Sequence, residues 1–121
     1  MMGDLTKNFS RSEFACPCCG KDNIDLELVD VLQKIRDDVG HAITITSGVR
    51  CEKHNTEVGG VDNSPHMDGV AADIDCKHSR LRYTIIRTAL RNGITRIGVG
   101  SDFVHIDNGE GGRSKEVIWT Y

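Results

Sequence analysis

A turn-rich loop leads into a predicted strand at Ser64-Pro65-His66-Met67-Asp68-Gly69-Val70-Ala71-Ala72-Asp73. The proline favours extended backbone at the residue before it, and Gly69 lets the chain turn before the strand begins. The loop can therefore fold His66 back over Asp73. We expect these two polar side chains to share one site.

A second motif, Asp102-Phe103-Val104-His105, opens another predicted strand, Phe103–Asp107. The apolar neighbours of His105 face the core, so His105 and Asp107 lie on the opposite face. Residues three apart in a regular strand point to opposite faces, so Asp102 can join His105 only if the backbone bends at Ser101-Asp102. Together the motifs supply two imidazoles, one carboxylate ligand and a further carboxylate. That is the inventory of a catalytic zinc site, which needs three protein ligands and an open position for water.

The elements around these motifs predict an α+β fold. Apolar residues at helical spacing predict a helix from a cap at Asp25 to Val39, ended by Gly40, and another that begins at Ser79 and is ended by Asn92-Gly93. A short helix is predicted at Cys51–Val58, turns at Gly59–Pro65 and Gly109–Gly112, and strands at His41–Thr46, Val70–Ile74, Thr95–Val99, Phe103–Asp107 and Glu116–Thr120. We expect a single domain over residues 1–121, with a central antiparallel sheet, helices packed on one face and the polar site on the other.

The composition is that of an ordinary globular domain. Of 121 residues, 38% are hydrophobic and 27% charged, and no run approaches the roughly 20 apolar residues that a membrane-spanning helix needs. The net charge of −3 lacks the basic surplus of nucleic-acid-binding proteins. We therefore expect neither a membrane nor a nucleic-acid partner. The segment Met1–Lys7 contains an acid and no apolar run, which predicts that there is no signal peptide.

Five cysteines, an odd number without an export signal, argue against a fully paired disulfide framework. The run Cys16-Pro17-Cys18-Cys19-Gly20 is suggestive of a zinc knuckle. A structural zinc site usually needs two separated ligand pairs, however, and Cys51 and Cys76 are isolated in the sequence. We favour a tight turn with buried or free thiols, with Cys51 packed alongside, and a second metal site is the open alternative.

These motifs resemble those of the zinc D-Ala-D-Ala carboxypeptidases and L-alanyl-D-glutamate endopeptidases, which cut bacterial peptidoglycan and include phage endolysins. The family signature S-x-H-x-x-G-x-A-x-D is matched at Ser64, His66, Gly69, Ala71 and Asp73, and its acidic-x-x-His at Asp102 and His105. Ser47-Gly48-Val49-Arg50 is similar to the family's Ser-Gly-aromatic-Arg, with valine at the aromatic position. That departure concerns the shape of a substrate subsite. The resemblance covers roughly Phe9–Tyr121.

The resemblance implies a Hedgehog/DD-peptidase-like fold and one catalytic zinc ion. The implied zinc ligands are His66, Asp73 and His105. Water would take the fourth position, and Asp102 would act first as general base and then as general acid. Arg50 would bind a substrate carboxylate or polarised carbonyl, because a planar guanidinium matches these groups, and Ser64 would hydrogen-bond the substrate backbone. The implied substrate is a peptidoglycan stem peptide, cut at either the D-Ala-D-Ala or the L-Ala-D-Glu bond.

Other titratable residues near the motifs have structural interpretations. Asp107 is the reserve candidate for the general base, and otherwise a solvated carboxylate or one that supports a ligand. His54 is expected to pack or cap locally. The trio Asp75, Cys76 and His78 falls at a strand-to-helix turn and is also expected to be structural.

Three functional classes fit the sequence. The first is a zinc peptidase of stem peptides, used in phage lysis or cell-wall remodelling. The second is a zinc-binding module of the same fold without turnover, against which the retention of Asp102 argues, and the third is a zinc-knuckle interaction protein. For the first class we expect a monomer that stays in the cytoplasm until it is released to the wall, or one that is carried in a virion.

Overall fold

The computed structural model describes residues 3–109 and 113–121, which form an α+β fold around a five-stranded sheet. The strands are β1 (Ile45–Ser47), β2 (Ala71–Asp75), β3 (Arg96–Val99), β4 (Phe103–Asp107) and β5 (Val117–Thr120), and the helices are α1 (Leu26–Val39), α2 (Glu52–Glu57) and α3 (Ser79–Arg91). Two short 3-10 turns cover Arg11–Phe14 and Pro65–Asp68. Among the described residues, no helix has the length and apolar character to cross a bilayer.

The sheet is mixed, whereas the sequence predicts an antiparallel one. The strand order is β1-β2-β4-β3-β5; the first three pairings are antiparallel, and β5 runs parallel to β3. The chain does reverse after β4, but both edges of β4 are already paired with β2 and β3. β5 therefore adds to the free edge of β3, where its direction makes the pairing parallel. Residues 110–112 of the predicted turn Gly109–Gly112 lie outside the described residues.

The two faces of the sheet have different roles. Alternate side chains of β2 and β4 pack in one apolar core with those of α1 and α3, and the two helices also contact each other. Burial of this apolar face, at roughly 25 cal/mol per Å² removed from water, is the main stabilising term of the fold. Fully buried core residues are Leu28, Leu32 and Ile35 of α1, Ile85 and Ala89 of α3, and Ile74, Ile97, Val104 and Ile106 of the sheet. The polar site of β2 and β4 lies on the other face, as expected.

The first strand is shorter than predicted. Sequence alternation extends it over His41–Thr46, but regular pairing covers only Ile45–Ser47 and is irregular even there. The partner strand β2 ends at Asp75, and the N–H of Asp75 donates to the carbonyl of Thr44. Residues before Thr44 have no strand beside them. The predicted helices are confirmed, including the end of α1 at Gly40 with φ of 81°.

Candidate metal centre

The side chains of His66, Asp73 and His105 are buried and lie together on the polar face of the sheet. Asp73 and His105 are direct cross-strand partners on β2 and β4. Asp73 Oδ1 lies 3.2 Å from His66 Nε2 and 2.9 Å from His105 Nδ1. A tetrahedral zinc ion with ligand bonds of about 2.0–2.1 Å holds its ligand atoms about 3.3 Å apart. The three side chains therefore fit one zinc ion.

The loop that carries His66 is fixed by local sequence. Ser64 caps the 3-10 turn Pro65–Asp68, since its Oγ accepts a hydrogen bond from the N–H of His66 at 3.3 Å. The turn ends at Gly69, whose φ of 72° disfavours any residue with a side chain. A Cβ at Gly69 would also lie 2.2 Å from the carbonyl oxygen of Asn23. The motif glycine is therefore a requirement of packing as well as of backbone geometry.

Each imidazole is oriented by a hydrogen bond on its outer nitrogen. His66 Nδ1 donates to the carbonyl of Gly48 at 2.7 Å, so Nε2 of the ring faces Asp73. His105 Nε2 lies 2.6 Å from Asp107 Oδ2 and donates to it, which leaves Nδ1 to face Asp73. Such outer hydrogen bonds fix the tautomer and raise the basicity of a metal-binding histidine.

Asp107 is a supporting residue and not a solvated carboxylate. It is 0% exposed. Besides the contact with His105, its Oδ1 accepts the N–H of Gly109 at 2.8 Å and lies 3.0 Å from Arg96 Nε. Both carboxylate oxygens are thus occupied, which favours Asp107 as a carboxylate that supports a ligand over its reserve interpretation as the general base.

The charges of the site suit a cation. Burial alone would raise the pKa of Asp73, but the hydrogen bonds and charges of His105 and His66 hold that pKa well below its usual range. Burial lowers the pKa of His105, yet the hydrogen bonds to Asp107 and Asp73 outweigh it, and the net pKa is raised. Asp73 therefore stays ionised as a ligand should, while His105 must release its Nδ1 proton before it can bind a metal.

Arg50 lies beside this cluster. Its Nη2 is 3.5 Å from Asp73 Oδ2, and its other nitrogens donate to Ser47 Oγ at 3.1 Å and Asn55 Oδ1 at 3.3 Å. The backbone N–H of Arg50 also donates to the carbonyl of His66 at 3.0 Å. The guanidinium is therefore held in place at the edge of the site, where a substrate carboxylate could meet it.

The metal cluster lies in a cleft. A cavity of about 430 Å³ is lined by the three candidate ligands, Arg50, Ser64 and aromatic side chains. A second cavity of about 420 Å³ shares Arg50, Asp73 and Phe103 with the first, so the two adjoin. A further, apolar cavity of about 440 Å³ lies along α3 and contains none of the candidate site residues.

Asp102 lines the second cavity, as does Asp73. It is exposed and precedes β4, so the chain departs from strand geometry at Ser101-Asp102 as the sequence analysis requires. Its backbone carbonyl accepts the N–H of Cys76 at 2.9 Å, which extends the pairing of β2 and β4 by one step. Asp102 thus reaches the cleft without belonging to the metal cluster.

Aromatic residues that the sequence analysis does not identify form one wall of the cleft. The ring of Trp119 lies 5.5 Å from the ring of His105, and the ring of Tyr121 lies 4.9 Å from that of Phe103. Gly98 makes room for them, since a Cβ there would lie 2.8 Å from Trp119. Alternation at the chain end does place both aromatics on one face. The sequence does not predict that β5 pairs with β3 and so brings these rings beside the site.

The trio Asp75, Cys76 and His78 makes local contacts, as expected. Asp75 pairs with Lys77 at 2.6 Å, the thiol of Cys76 contacts the carbonyl of His78, and the imidazole of His78 caps α3 by accepting the N–H of Leu81. A second group of side chains with metal-ligand spacing is present, however. It consists of Cys16, Cys19 and Cys51.

Comparison with known protein families agrees with this geometry. The family model described as Peptidase M15 matches residues 7–107, well over half of the chain. Among curated proteins, none matches. The matched range contains the metal cluster, Arg50 and Asp102, and it ends before β5. The aromatic wall at Trp119 and Tyr121 is therefore outside the matched region.

Proposed function

Because the chain belongs to the Peptidase M15 family of zinc metallopeptidases, we propose that it hydrolyses peptide bonds in the stem peptides of bacterial peptidoglycan. The bond is either D-Ala-D-Ala or L-Ala-D-Glu. One observation carries this proposal: His66 Nε2, Asp73 Oδ1 and His105 Nδ1 converge in a cleft that Arg50 and Asp102 also line. The expected products are free D-Ala in the first case and new amino termini on D-Glu in the second.

His66, Asp73 and His105 would hold the zinc ion. Zinc in such a site supplies a Lewis acid for the scissile carbonyl and lowers the pKa of a bound water toward neutrality. Gly48 and Asp107 hold the outer nitrogens of the two rings, so His66 Nε2 and, once its proton is released, His105 Nδ1 face the ion. The two histidine side chains therefore need little rearrangement when the ion binds.

Asp102 is the proton carrier in this proposal. It is an exposed carboxylate that lines the cavity together with Asp73, whereas Asp75 is paired with Lys77 and Asp107 is buried with both oxygens occupied. A carboxylate of this kind takes the proton of the attacking water and gives it to the leaving amine. Removal of this single group should leave zinc binding intact and lower kcat strongly.

Arg50 and the aromatic wall position the substrate. Stem peptides carry free carboxylates, and the guanidinium of Arg50 offers the planar donor pair that a carboxylate accepts. The rings of Trp119 and Tyr121 would pack against the aliphatic part of the peptide and exclude water from the reacting bond. Ser64, whose Oγ accepts from the backbone of His66, lines the same cavity and retains its hydroxyl proton for a substrate carbonyl.

We place the protein at the cell wall as a monomer, after release from the cytoplasm or from a virion. The test uses zinc-loaded protein and purified peptidoglycan, with the soluble fragments identified by mass spectrometry. The controls are a chelator and His66→Ala. Release of D-Ala or of fragments with new D-Glu amino termini supports the proposal. Intact peptidoglycan after incubation with the fully zinc-loaded protein would instead favour the zinc-binding module without turnover.

A further inference from the structure

A group of four cysteines lies apart from the catalytic cleft. The turn after the first 3-10 segment contains Cys16, Cys18 and Cys19. Cys51, which follows β1 in the chain, caps the N-terminus of α2. The fold brings Cys51 back to this turn, so it is isolated in sequence but not in space. Cys76 takes no part, since its thiol contacts the carbonyl of His78.

The spacing of the sulfurs is that of metal ligands. Cys16 Sγ and Cys51 Sγ are 3.8 Å apart, and Cys16, Cys19 and Cys51 each place a sulfur within 4.8 Å of the other two. A tetrahedral zinc ion with Zn–S bonds of about 2.3 Å separates its sulfurs by about 3.8 Å. A disulfide would need a sulfur separation of about 2.05 Å. All five cysteines are free thiols in the structure.

Cys18 is the available fourth ligand. Its side chain interacts with that of Cys51, and Cys19 interacts with both Cys16 and Cys51. Burial opposes ionisation of Cys16, but backbone hydrogen bonds from Cys51, Cys18 and Cys19 outweigh it and lower the pKa of this thiol to about 7. Such hydrogen bonds offset the negative charge of a thiolate. The turn itself is closed by hydrogen bonds between the backbones of Cys16 and Gly20, and of Cys16 and Lys21.

We propose that Cys16, Cys18, Cys19 and Cys51 bind a structural zinc ion, which is separate from the catalytic one. Four protein ligands leave no position for water, so this ion takes no part in hydrolysis. It would tie the N-terminal segment to the chain immediately after Arg50, because Cys51 is the next residue. The site would therefore hold the cleft wall that carries Arg50.

Metal content tests this directly. Protein produced with zinc and purified in reductant should contain about two zinc ions per chain by mass spectrometry of the metal. Cys16→Ser and Cys51→Ser should each reduce this to about one, and Cys76→Ser, the matched control, should leave it unchanged. In His66→Ala the remaining zinc should be the thiolate-bound ion. Wild-type content of about one that falls only with His66→Ala would overturn the proposal.

A spectroscopic measurement covers the case in which a cysteine variant does not fold. Cobalt(II) exchanged into otherwise native His66→Ala protein should show a strong thiolate-to-cobalt charge-transfer band, because only the cysteine site supplies sulfur ligands. Absence of the band, or loss of thiols to disulfides in the intact protein, would refute the site. Both outcomes are independent of hydrolysis, so they are distinct from a failure of the proposed peptidase activity.

Discussion

Asp107 holds His105 in the orientation that a metal needs. Its carboxylate lies 2.6 Å from His105 Nε2, and Asp107→Asn keeps an acceptor of the same shape while removing the charge. We predict a loss of zinc affinity of about 10- to 100-fold, measured by competition with a chromophoric chelator. Asp75→Asn, an exchange at a partly exposed carboxylate of the adjoining cavity, should not alter the affinity. Equal affinity of Asp107→Asn and wild type would contradict this role.

In the proposed mechanism, turnover depends on Asp102. For Asp102→Asn we predict a fall in kcat of about 10²- to 10⁴-fold, the usual contribution of a general acid–base group. Zinc content should stay that of the wild type, because Asp102 is outside the metal cluster. Asp75 lines the same cavity, so Asp75→Asn serves again as the control. Undiminished hydrolysis by zinc-loaded Asp102→Asn would assign the proton transfer to another group.

The pH dependence of stability should change sign when zinc binds. In the metal-free protein the raised pKa of His105 gives stability that is complete below about pH 6.5 and is lost as pH rises through the folded-state pKa. The lowered pKa of Asp73 gives stability that is complete above about pH 4 and is lost only in stronger acid. Zinc competes with the proton on His105, so it stabilises more at higher pH.

Urea unfolding measures this reversal. Between about pH 6 and pH 9 the free energy of unfolding should fall for the metal-free protein and rise for the zinc-loaded protein. His105→Gln should remove most of the fall. Metal-free protein whose stability is level or increases over this range would show that His105 is not charged beside Asp73 and Asp107.

At the scale of elements, Gly69 ends the 3-10 turn that presents His66. Gly69→Ala meets both a positive φ of 72° and a contact of 2.2 Å with the backbone of Asn23. Gly40→Ala at the end of α1 has a similar φ of 81° with open space around it. We predict losses of about 1 kcal/mol for Gly40→Ala from strain alone and about 2–4 kcal/mol for Gly69→Ala from strain and overpacking. Chemical denaturation compares them, and equal losses would contradict the packing role.

Local sequence patterns predict most of the helices and strands. They fail where the pairing between distant strands determines the extent or position of a strand. The apolar stripes of α1 and α3 and the caps at Asp25 and Gly40 are local signals, so both helices are predicted closely. The ends of β1 and the parallel position of β5 depend on which strand edges remain free. No local pattern carries that information.

The same division applies to the candidate site. The motifs correctly predict that His66, Asp73 and His105 lie together. The reason is that Asp73 and His105 lie on strands with a clear polar face and His66 lies in the loop before one of them. The support of Asp107, the aromatic wall and the approach of Cys51 to Cys16 arise from contacts between distant segments. These parts of the site could not be predicted from residue order alone.

For the whole molecule, zinc should act as a ligand of the folded state. Free zinc at 100 times its dissociation constant adds about 2.7 kcal/mol to the free energy of unfolding, which corresponds to a rise in Tm of roughly 10 °C for a domain of this size. Thermal unfolding with and without zinc tests this, and the increment due to the catalytic site should disappear in His66→Ala. A Tm rise that is the same in His66→Ala and wild type would place the stabilising zinc elsewhere.

The most direct measurement is the anomalous diffraction of zinc-loaded crystals at the zinc absorption edge. The account predicts a peak about 2.0–2.1 Å from His66 Nε2, His105 Nδ1 and Asp73 Oδ1, on the face of the sheet opposite α1 and α3. A crystal that contains zinc but has no anomalous peak among these three atoms would contradict it.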